Sequence, residues 1–177
     1  CEALTLPTDD GQGVATVVYG LPAASDNAAG LGEVMCTPVS GNATAGVGVH
    51  VDLITCTVSD AAGNVATCGI TLQVVDDEAP EITCGDNVVL TTSAGEATGV
   101  LAFDAPTASD NTGNVSVSCS PAAGSALQYD QQVTVTCTAS DASGNTASCT
   151  LFAVVEDREA PVLTCPEGPR VDAPLSG

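Results

Sequence analysis

Nine cysteines are the residues of this 177-residue chain whose spacing says most about its chemistry. They fall on a repeat grid: 81 residues separate Cys56 from Cys137, and 81 separate Cys68 from Cys149. No pair has the close C-x-x-C spacing of zinc or redox sites, and a single histidine disfavours a Cys/His metal centre. The cysteines therefore favour disulfides, and with them an extracellular or secretory compartment.

Acidic side chains dominate the charge of the chain. Aspartate and glutamate number 22 against two basic residues, which gives a formal net charge of −20. Nucleic acid and anionic membrane surfaces select for basic patches, so neither is an expected partner. Divalent cations or a basic protein would complement this charge. The simpler alternative is that most of the acids only keep a secreted surface soluble.

Catalytic residues are sparse. The only histidine, His50, has no equivalent in the second half of the grid, and neither a Gly-x-Ser-x-Gly motif nor a glycine-rich phosphate loop occurs. The sequence therefore predicts no enzyme.

Two Asn-x-Ser/Thr sequons, at Asn42 and Asn114, are candidate glycosylation sites, although such short matches also arise by chance.

The elements that must position these residues come from an internal duplication. Leu53–Pro80 (LITCTVSDAAGNVATCGITLQVVDDEAP) and Thr134–Pro161 (TVTCTASDASGNTASCTLFAVVEDREAP) are near copies, and a fixed period of this size indicates a tandem array. We predict one repeat over residues 1–76, a second over 77–157 and the start of a truncated third over 158–177. Cys165, on the position of Cys84, is then the first cysteine of that third repeat. The tail 167–177 would match residues 85–94.

Alternating apolar and polar residues predict short strands. Val133–Thr138 shows the two-residue period of a half-buried strand, and Asp141–Asn145 closes a hairpin with a glycine in the turn. Seven or so strands per repeat predict an all-β fold of tandem immunoglobulin-like β-sandwich domains stapled by disulfides. The other predicted segments of repeat two are a first edge strand made of Glu81–Cys84 and Val88–Leu90, strands at Gly99–Phe103 and Val115–Cys119, a loop over Asp104–Gly113, and a loosely patterned crossing over Pro121–Asp130.

Spacing alone leaves three pairings open for the four cysteines of a repeat. The order of strands in a sandwich favours one of them. It places the first-strand cysteine beside the last strand, and the second and third cysteines across the middle of the sandwich. The predicted bridges are Cys1–Cys68, Cys36–Cys56, Cys84–Cys149 and Cys119–Cys137, which leaves Cys165 without a partner.

A calcium site is the most specific chemical hypothesis. In such a sandwich, two loops of the second repeat lie at the end where the linker enters, and hard divalent cations prefer six to eight oxygen ligands. The alternative is that these residues serve only as turn formers, because their spacing matches no dedicated calcium loop. The candidate ligands are Asp76, Asp77, Glu78, Asp110, Asn111, Asp141 and Asn145.

The repeated motifs resemble the HYR (hyalin repeat) family. In repeat two these are Asp77–Cys84 (DEAPEITC), Pro106–Asn111 (PTASDN) and Asp141–Cys149 (DASGNTASC), and repeat one carries the last two at Pro22–Asn27 (PAASDN) and Asp60–Cys68 (DAAGNVATC). The likeness covers both repeats almost end to end. It implies immunoglobulin-like modules of extracellular proteins, linked with adhesion and with matrix or filament building. The aromatic residue that often precedes the Pro-x-Ala-x-Asp-Asn motif is missing from both repeats, and the second cysteine pair is additional.

We therefore expect a non-catalytic extracellular structural or adhesion module, whose partners are other copies or repeats of the same assembly. Val88–Leu90 is a candidate edge for such contacts. The alternative is a module that binds a carbohydrate or a basic protein. Aromatic side chains often carry such recognition, yet Tyr19 and Tyr129 are the only tyrosines of the chain and it contains no tryptophan. A third possibility is an accessory domain of a larger secreted enzyme. Glycans are expected as modifications.

Overall fold

Each half of the chain forms its own set of β-strands in this computed structural model, which describes residues 1–28, 30–165 and 168. The described residues contain strands, turns and loops but no helix. Repeat one comprises β1 (Leu4–Pro7), β2 (Val14–Thr16), β3 (Met35–Thr37), β4 (Thr44–Gly46), β5 (Gly48–Ser59) and β6 (Val65–Val75). Repeat two comprises β7 (Glu81–Thr83), β8 (Val88–Thr91), β9 (Thr98–Val100), β10 (Thr107–Ser109), β11 (Ser116–Ser120), β12 (Ala126–Gln128), β13 (Gln132–Ser140) and β14 (Thr146–Glu156).

The two repeats share the topology of their larger sheet. The larger sheet has the order β1-β6-β5-β3 in repeat one and β8-β14-β13-β11 in repeat two, with the first strand parallel to the last in both. The opposing layer contains the pair β2-β4 in repeat one and the pairs β9-β12 and β7-β10 in repeat two. This arrangement confirms the predicted all-β fold of tandem immunoglobulin-like sandwiches.

Each sandwich encloses a small aliphatic core. In β13, Val135 and Cys137 are buried while Thr134 and Thr136 face solvent, as the two-residue period predicts. Burying one such aliphatic side chain contributes about 1.5–3 kcal/mol to folding. The core of repeat one is formed by Ala15, Val17, Cys36, Ala45, Ile54, Cys56, Ile70, Leu72 and Val74, and that of repeat two by Leu101, Leu127, Val135, Cys137, Leu151, Ala153 and Val155.

Four disulfides connect the cysteines in the expected pairs: Cys1–Cys68, Cys36–Cys56, Cys84–Cys149 and Cys119–Cys137. The expectation that the inner bridges cross the middle of the sandwich is wrong. Cys119 and Cys137 lie directly opposite each other on the neighbouring strands β11 and β13, and Cys36 and Cys56 do the same on β3 and β5. The inner bridges therefore join strands within one sheet, while Cys165 is a free, exposed thiol.

Four of the segments predicted for repeat two need correction. Glu81–Cys84 and Val88–Leu90 do not form one edge strand, because β7 pairs with β10 whereas β8 pairs with β14 in the other sheet. The segment predicted as a loop, 104–113, contains β10, and the segment predicted as a crossing, 121–130, contains β12. The predicted strand at 99–103 is limited to Thr98–Val100.

The hairpin between β13 and β14 is present. The Asp141 amide donates to the Asn145 carbonyl at 3.1 Å, and Gly144 has a φ of 97°, a conformation that residues with a Cβ avoid. The predicted match of the tail 167–177 to residues 85–94 lies outside the described residues, with the exception of Gly168. In the described part of the chain, no helix has the length and apolar character that crossing a bilayer requires.

Candidate functional site at the junction of the repeats

A buried carboxylate marks the end of repeat one. Asp76 directly follows β6 and is only 7% exposed, which makes it the one buried charged residue among those described. Its counterpart one repeat later, Asp157, follows β14 and is exposed. Burial of an aspartate costs free energy unless partners compensate for the lost water. For Asp76, those partners come from repeat two.

Two turns of repeat two surround Asp76. The Ser143 hydroxyl donates to the Asp76 carboxylate at 3.2 Å, and the Thr112 hydroxyl oxygen lies 3.3 Å from the same carboxylate. The Asn145 side-chain amide donates to the Asp76 backbone carbonyl at 3.1 Å, and the Asn111 amide lies 3.5 Å from the carboxylate. The end of repeat one is therefore held by direct contacts from the two loops that the sequence placed there.

The first of these turns is organised by Asp110. Its carboxylate accepts hydrogen bonds from the backbone amide and the hydroxyl of Thr112, at 2.9 and 2.6 Å. Such short aspartate-centred turns form because the carboxylate replaces a backbone acceptor two residues away. The turn also reaches repeat one, because the Asn111 amide donates to the Gln12 carbonyl at 3.1 Å. At Gly13 an added Cβ would come within 3.0 Å of the Asn111 carbonyl oxygen.

The second turn is organised by Asp141. Its carboxylate accepts bonds from the Gly144 amide at 2.6 Å, from the Asn145 amide at 2.8 Å and from the Asn145 side chain at 2.7 Å. Burial raises the pKa of Asp141, but the hydrogen bonds from Asn145, Gly144 and Ser143 together outweigh it and hold that pKa below its usual value. Asp141 is therefore ionised at neutral pH.

Three carboxylates converge at this junction. Asp76, Asp110 and Asp141 each offer an oxygen within 4.8 Å of the others. One carboxylate oxygen of Asp110 and the side-chain oxygen of Asn111 are buried without a hydrogen-bond partner among the described residues. No basic side chain offsets this charge, because the one ion pair found in the described part of the chain, Arg158 with Glu156, lies elsewhere. Clustered oxygens without a counter-charge are the donor set that Ca²⁺ prefers.

Not every predicted ligand joins this cluster. Asp77 is exposed. Glu78 is bound within repeat one, since its carboxylate accepts a bond from the Gly11 amide at 2.9 Å. Glu159 binds the Gly95 amide in the same way at 2.7 Å, so each linker is fastened to a turn of the repeat that it leaves. Sequence reasoning missed Thr112, Ser143 and Gly11, because hydroxyl and glycine residues in turns carry no specific signal.

The remaining candidate residues are not part of the carboxylate cluster. Asn42 and Asn114 are both exposed, as a glycan acceptor requires. The His50 ring donates from Nε2 to the Gly46 carbonyl at 2.8 Å. Asp60 and Asn64 in repeat one form the same turn as Asp141 and Asn145, and hydrogen bonds from Asn64 lower the pKa of Asp60.

The fold and this junction define a class of protein: disulfide-stapled, immunoglobulin-like sandwiches joined in series, of an extracellular type. Residues 75–155, which include nearly all of repeat two, match the family model of the HYR domain. Repeat one carries two of the three motifs and the same order of strands in its larger sheet.

Two curated relatives are similar to half of the chain. Each is named sushi, von Willebrand factor type A, EGF and pentraxin domain-containing protein 1, one from Rattus norvegicus and one from Mus musculus. Each is 39% identical over 90 residues, which is 50% of this chain and 2% of the relative. The chain thus spans a very small part of these relatives.

Among solved structures, similar chains include extracellular segments of two protocadherins. Protocadherin gammaB7 EC3-6 matches 88% of this chain and 46% of its own, with 16% identity and a TM-score of 0.40. Protocadherin gamma C5 EC1-3 matches 87% of this chain and 66% of its own, with 14% identity and a TM-score of 0.40. Similarity at this level supports no conclusion about function.

Proposed function

We propose that this chain is a non-catalytic structural and adhesion segment, in which successive repeats form a stiff spacer of a surface, matrix or filament protein. The observation that carries this proposal is the burial of Asp76, a residue of repeat one, by side chains of repeat two. A freely jointed linker would leave this carboxylate in water. Direct contacts across a short linker restrict the angle between two domains.

The linker itself supports the same conclusion. Glu78 holds the chain against the Gly11 turn, and Pro80 is buried where the linker meets repeat two. Proline fixes one backbone dihedral, so it reduces the number of paths that the linker can take. Few freely rotating residues remain between the two cores.

We further propose that the junction binds Ca²⁺ through Asp76, Asp110 and Asp141, with the Asn111 oxygen as an added ligand. Three carboxylates within 4.8 Å repel one another unless a cation neutralises them. Bound Ca²⁺ would also give the buried, unpartnered oxygen of Asp110 its missing partner. The ion would hold ligands from both repeats and so stiffen the joint.

Calorimetric titration with CaCl₂ tests this metal site, and small-angle scattering of the same samples reports the angle between repeats. The decisive variant is Asp76→Asn, which removes one charge from the cluster. Asp157→Asn is the matched control, because Asp157 holds the equivalent position but is exposed. We expect saturable binding that Asp76→Asn weakens at least tenfold and Asp157→Asn leaves unchanged. No heat of binding at millimolar Ca²⁺ would contradict the metal site.

The spacer is tested separately by the shape of the Ca²⁺-loaded and Ca²⁺-free chain. A single maximum dimension near that of two sandwiches in line supports a stiff spacer in either state. A broad distribution of dimensions in both states would contradict it. Light scattering and electron microscopy of the native material then show whether the spacer is built into rods or fibres.

A further inference from the structure

The four cysteines of repeat two form one continuous group. Cys119, Cys137 and Cys149 lie directly opposite one another on the neighbouring strands β11, β13 and β14. Directly opposite residues of a sheet point to the same face, and all three pack in or against the core of repeat two. Cys84 joins the end of this row through its bridge to Cys149, with 5.7 Å between the two Cα atoms. The two disulfides of repeat two are therefore immediate neighbours.

The residue in the middle of the row is closed to solvent. Cys137 is 0% exposed, whereas Cys84, Cys119 and Cys149 are half-buried. A small thiol in solution therefore meets the two bridges at one of the half-buried sulfurs and not at Cys137. If Cys137 becomes a thiolate, it can react only with the sulfurs beside it.

Cys137 lies within bridging distance of Cys149 as well as of Cys119. Directly opposite residues of antiparallel strands have Cα atoms about 4.5–5.5 Å apart, and disulfides form at Cα separations of about 4.4–6.8 Å. Cys119 and Cys149 are two strands apart, which is roughly 9–10 Å, so no bridge can join them directly. Cys137 is therefore the residue of the row that can bridge either neighbour.

Repeat one contains the same row. Cys36, Cys56 and Cys68 lie directly opposite one another on β3, β5 and β6. Cys56, which matches Cys137, is only 2% exposed. The contiguous row, with a buried cysteine in its middle, is thus a feature of both repeats.

We propose that repeat two is a thiol-exchange site, at which a low-molecular-weight thiol replaces the bridge Cys84–Cys149 by Cys137–Cys149. The thiolate of the small molecule attacks Cys119 Sγ, forms a mixed disulfide there and releases the Cys137 thiolate. Cys137 then attacks Cys149 Sγ, which forms the new bridge and releases the Cys84 thiolate. Cys84 takes up the proton that the small thiol has lost. Two disulfides and one thiol are present before and after, so no oxidant or reductant is consumed.

Attack at the other bridge gives the same new pair. A small thiol that attacks Cys84 Sγ releases the Cys149 thiolate, and Cys149 then attacks Cys137 Sγ and releases Cys119. The mixed disulfide is now on Cys84, but the new bridge is again Cys137–Cys149. The product therefore identifies the row whichever bridge reacts first.

The exchange changes what the bridge holds together. Cys84 directly follows β7, so Cys84–Cys149 ties the start of repeat two to its last strand. Cys137–Cys149 instead joins residues 12 apart on strands that the sheet already pairs. The start of repeat two then loses its covalent tie to β14 and keeps the pairing of β7 with β10. The exchange requires neither Ca²⁺ nor a stiff joint, so its test stands apart from those of the proposed function.

Disulfide mapping of the folded chain tests this proposal, with Cys165→Ser as the background so that every thiol detected comes from a bridge. The chain is incubated with reduced glutathione at neutral pH, quenched with acidic N-ethylmaleimide and cleaved before aspartate residues. These cuts place the four cysteines of repeat two on separate peptides, because they fall at Asp86, Asp110, Asp130 and Asp141. We expect a peptide pair joined by Cys137–Cys149 to appear as the native pairs decline. Alkylation of all four cysteines without this pair, or native pairs that persist in excess thiol, would overturn the proposal.

The rate of exchange gives a second test. The double variant Cys119→Ser with Cys137→Ser removes the row but keeps Cys84–Cys149, and we expect this bridge to be lost at least tenfold more slowly than in the background chain. Cys36→Ser with Cys56→Ser makes the same change in repeat one and should leave the rate in repeat two unchanged. Circular dichroism confirms that the variants are folded. Equal rates in all three chains would overturn the proposal, and if a variant is unfolded, the mapping of the background chain decides.

Discussion

The Ser143 hydroxyl of repeat two donates a hydrogen bond of 3.2 Å to the carboxylate of Asp76 in repeat one. The contact spans the boundary between two independently formed cores. Repeat one has Ala62 at the position equivalent to Ser143, so this hydroxyl is not shared by the two equivalent turns. This pair makes the coupling between repeats measurable by a small substitution.

We expect Ser143→Ala to lower the coupling free energy between the repeats by about 0.5–1.5 kcal/mol, the usual net contribution of one hydrogen bond. The free energy of unfolding of repeat two, measured by denaturant in the whole chain, reports this loss. Ala62→Ser adds a hydroxyl at the equivalent turn of repeat one and serves as the control, with no expected change. Equal effects of both substitutions would contradict a role of Ser143 in the joint.

Gly144→Ala should destabilise repeat two by about 1–2 kcal/mol through backbone conformation alone. Gly144 has a φ of 97°, and an added Cβ would meet no atom within 4 Å, so steric overlap contributes nothing. Gly20→Ala is the matched control, because Gly20 also has open space but no positive φ. Thermal unfolding of both variants checks this prediction. An unchanged melting temperature for Gly144→Ala would show that the turn tolerates another conformation.

Acid should destabilise the chain only below about pH 4, where carboxylates begin to bind protons. Hydrogen bonds from Thr16 hold the pKa of Asp9 below its usual value, and those from Asn64 do the same for Asp60. A carboxyl group whose pKa is lower in the folded state than in the unfolded state stabilises the folded state at pH values above the unfolded pKa. This contribution to stability is lost as the pH falls through the folded-state pKa. Melting temperatures between pH 6 and pH 2 should therefore stay level and then fall.

Asp60→Asn provides the check on this assignment, because it removes the titrating group and keeps the size of the side chain. The variant should lose part of the pH dependence below pH 4. Its melting temperature at pH 2 should approach that of the unmodified chain. An unchanged slope would mean that Asp60 does not contribute to the acid sensitivity.

Removal of the outer disulfide of repeat two, Cys84–Cys149, should lower the free energy of unfolding more than removal of the inner disulfide, Cys119–Cys137. Cys84–Cys149 closes a loop of 65 residues and Cys119–Cys137 one of 18. In the chain-entropy description, these loops are worth about 4 and about 3 kcal/mol. Paired Cys→Ser variants of repeat two, compared by urea unfolding, test the order. A larger loss for the inner pair would show that local packing, rather than loop length, governs stability here.

The sequence was most informative where two signals coincided. The 81-residue period together with alternating strands such as β13 was sufficient for the fold class. β10 and β12 were missed because their sequences, Thr-Ala-Ser and Ala-Leu-Gln, lack runs of β-branched or aromatic residues and gain their pairing from tertiary contacts. Propensity alone does not detect such short strands.

Part of the candidate site could likewise be predicted from the sequence, and part of it could not. Asp76, Asp110 and Asp141 could be placed together because strand order brings one linker and two turns to the same end of a sandwich. The exclusion of Glu78 could not be predicted, since it follows from a single contact with the Gly11 amide. The roles of Thr112 and Ser143 depend on side-chain direction, which only the folded structure provides.

The outer disulfide of repeat two has a mechanical consequence. β7 leads into the sandwich and β14 leads out, while β8, which pairs with β14, lies inside the 65-residue loop that Cys84–Cys149 closes. Tension applied along the chain therefore passes from Cys84 through the bridge to β14, and the loop, which contains most of the core, carries little of the load. A fibre of such repeats would lengthen little before a covalent bond must break.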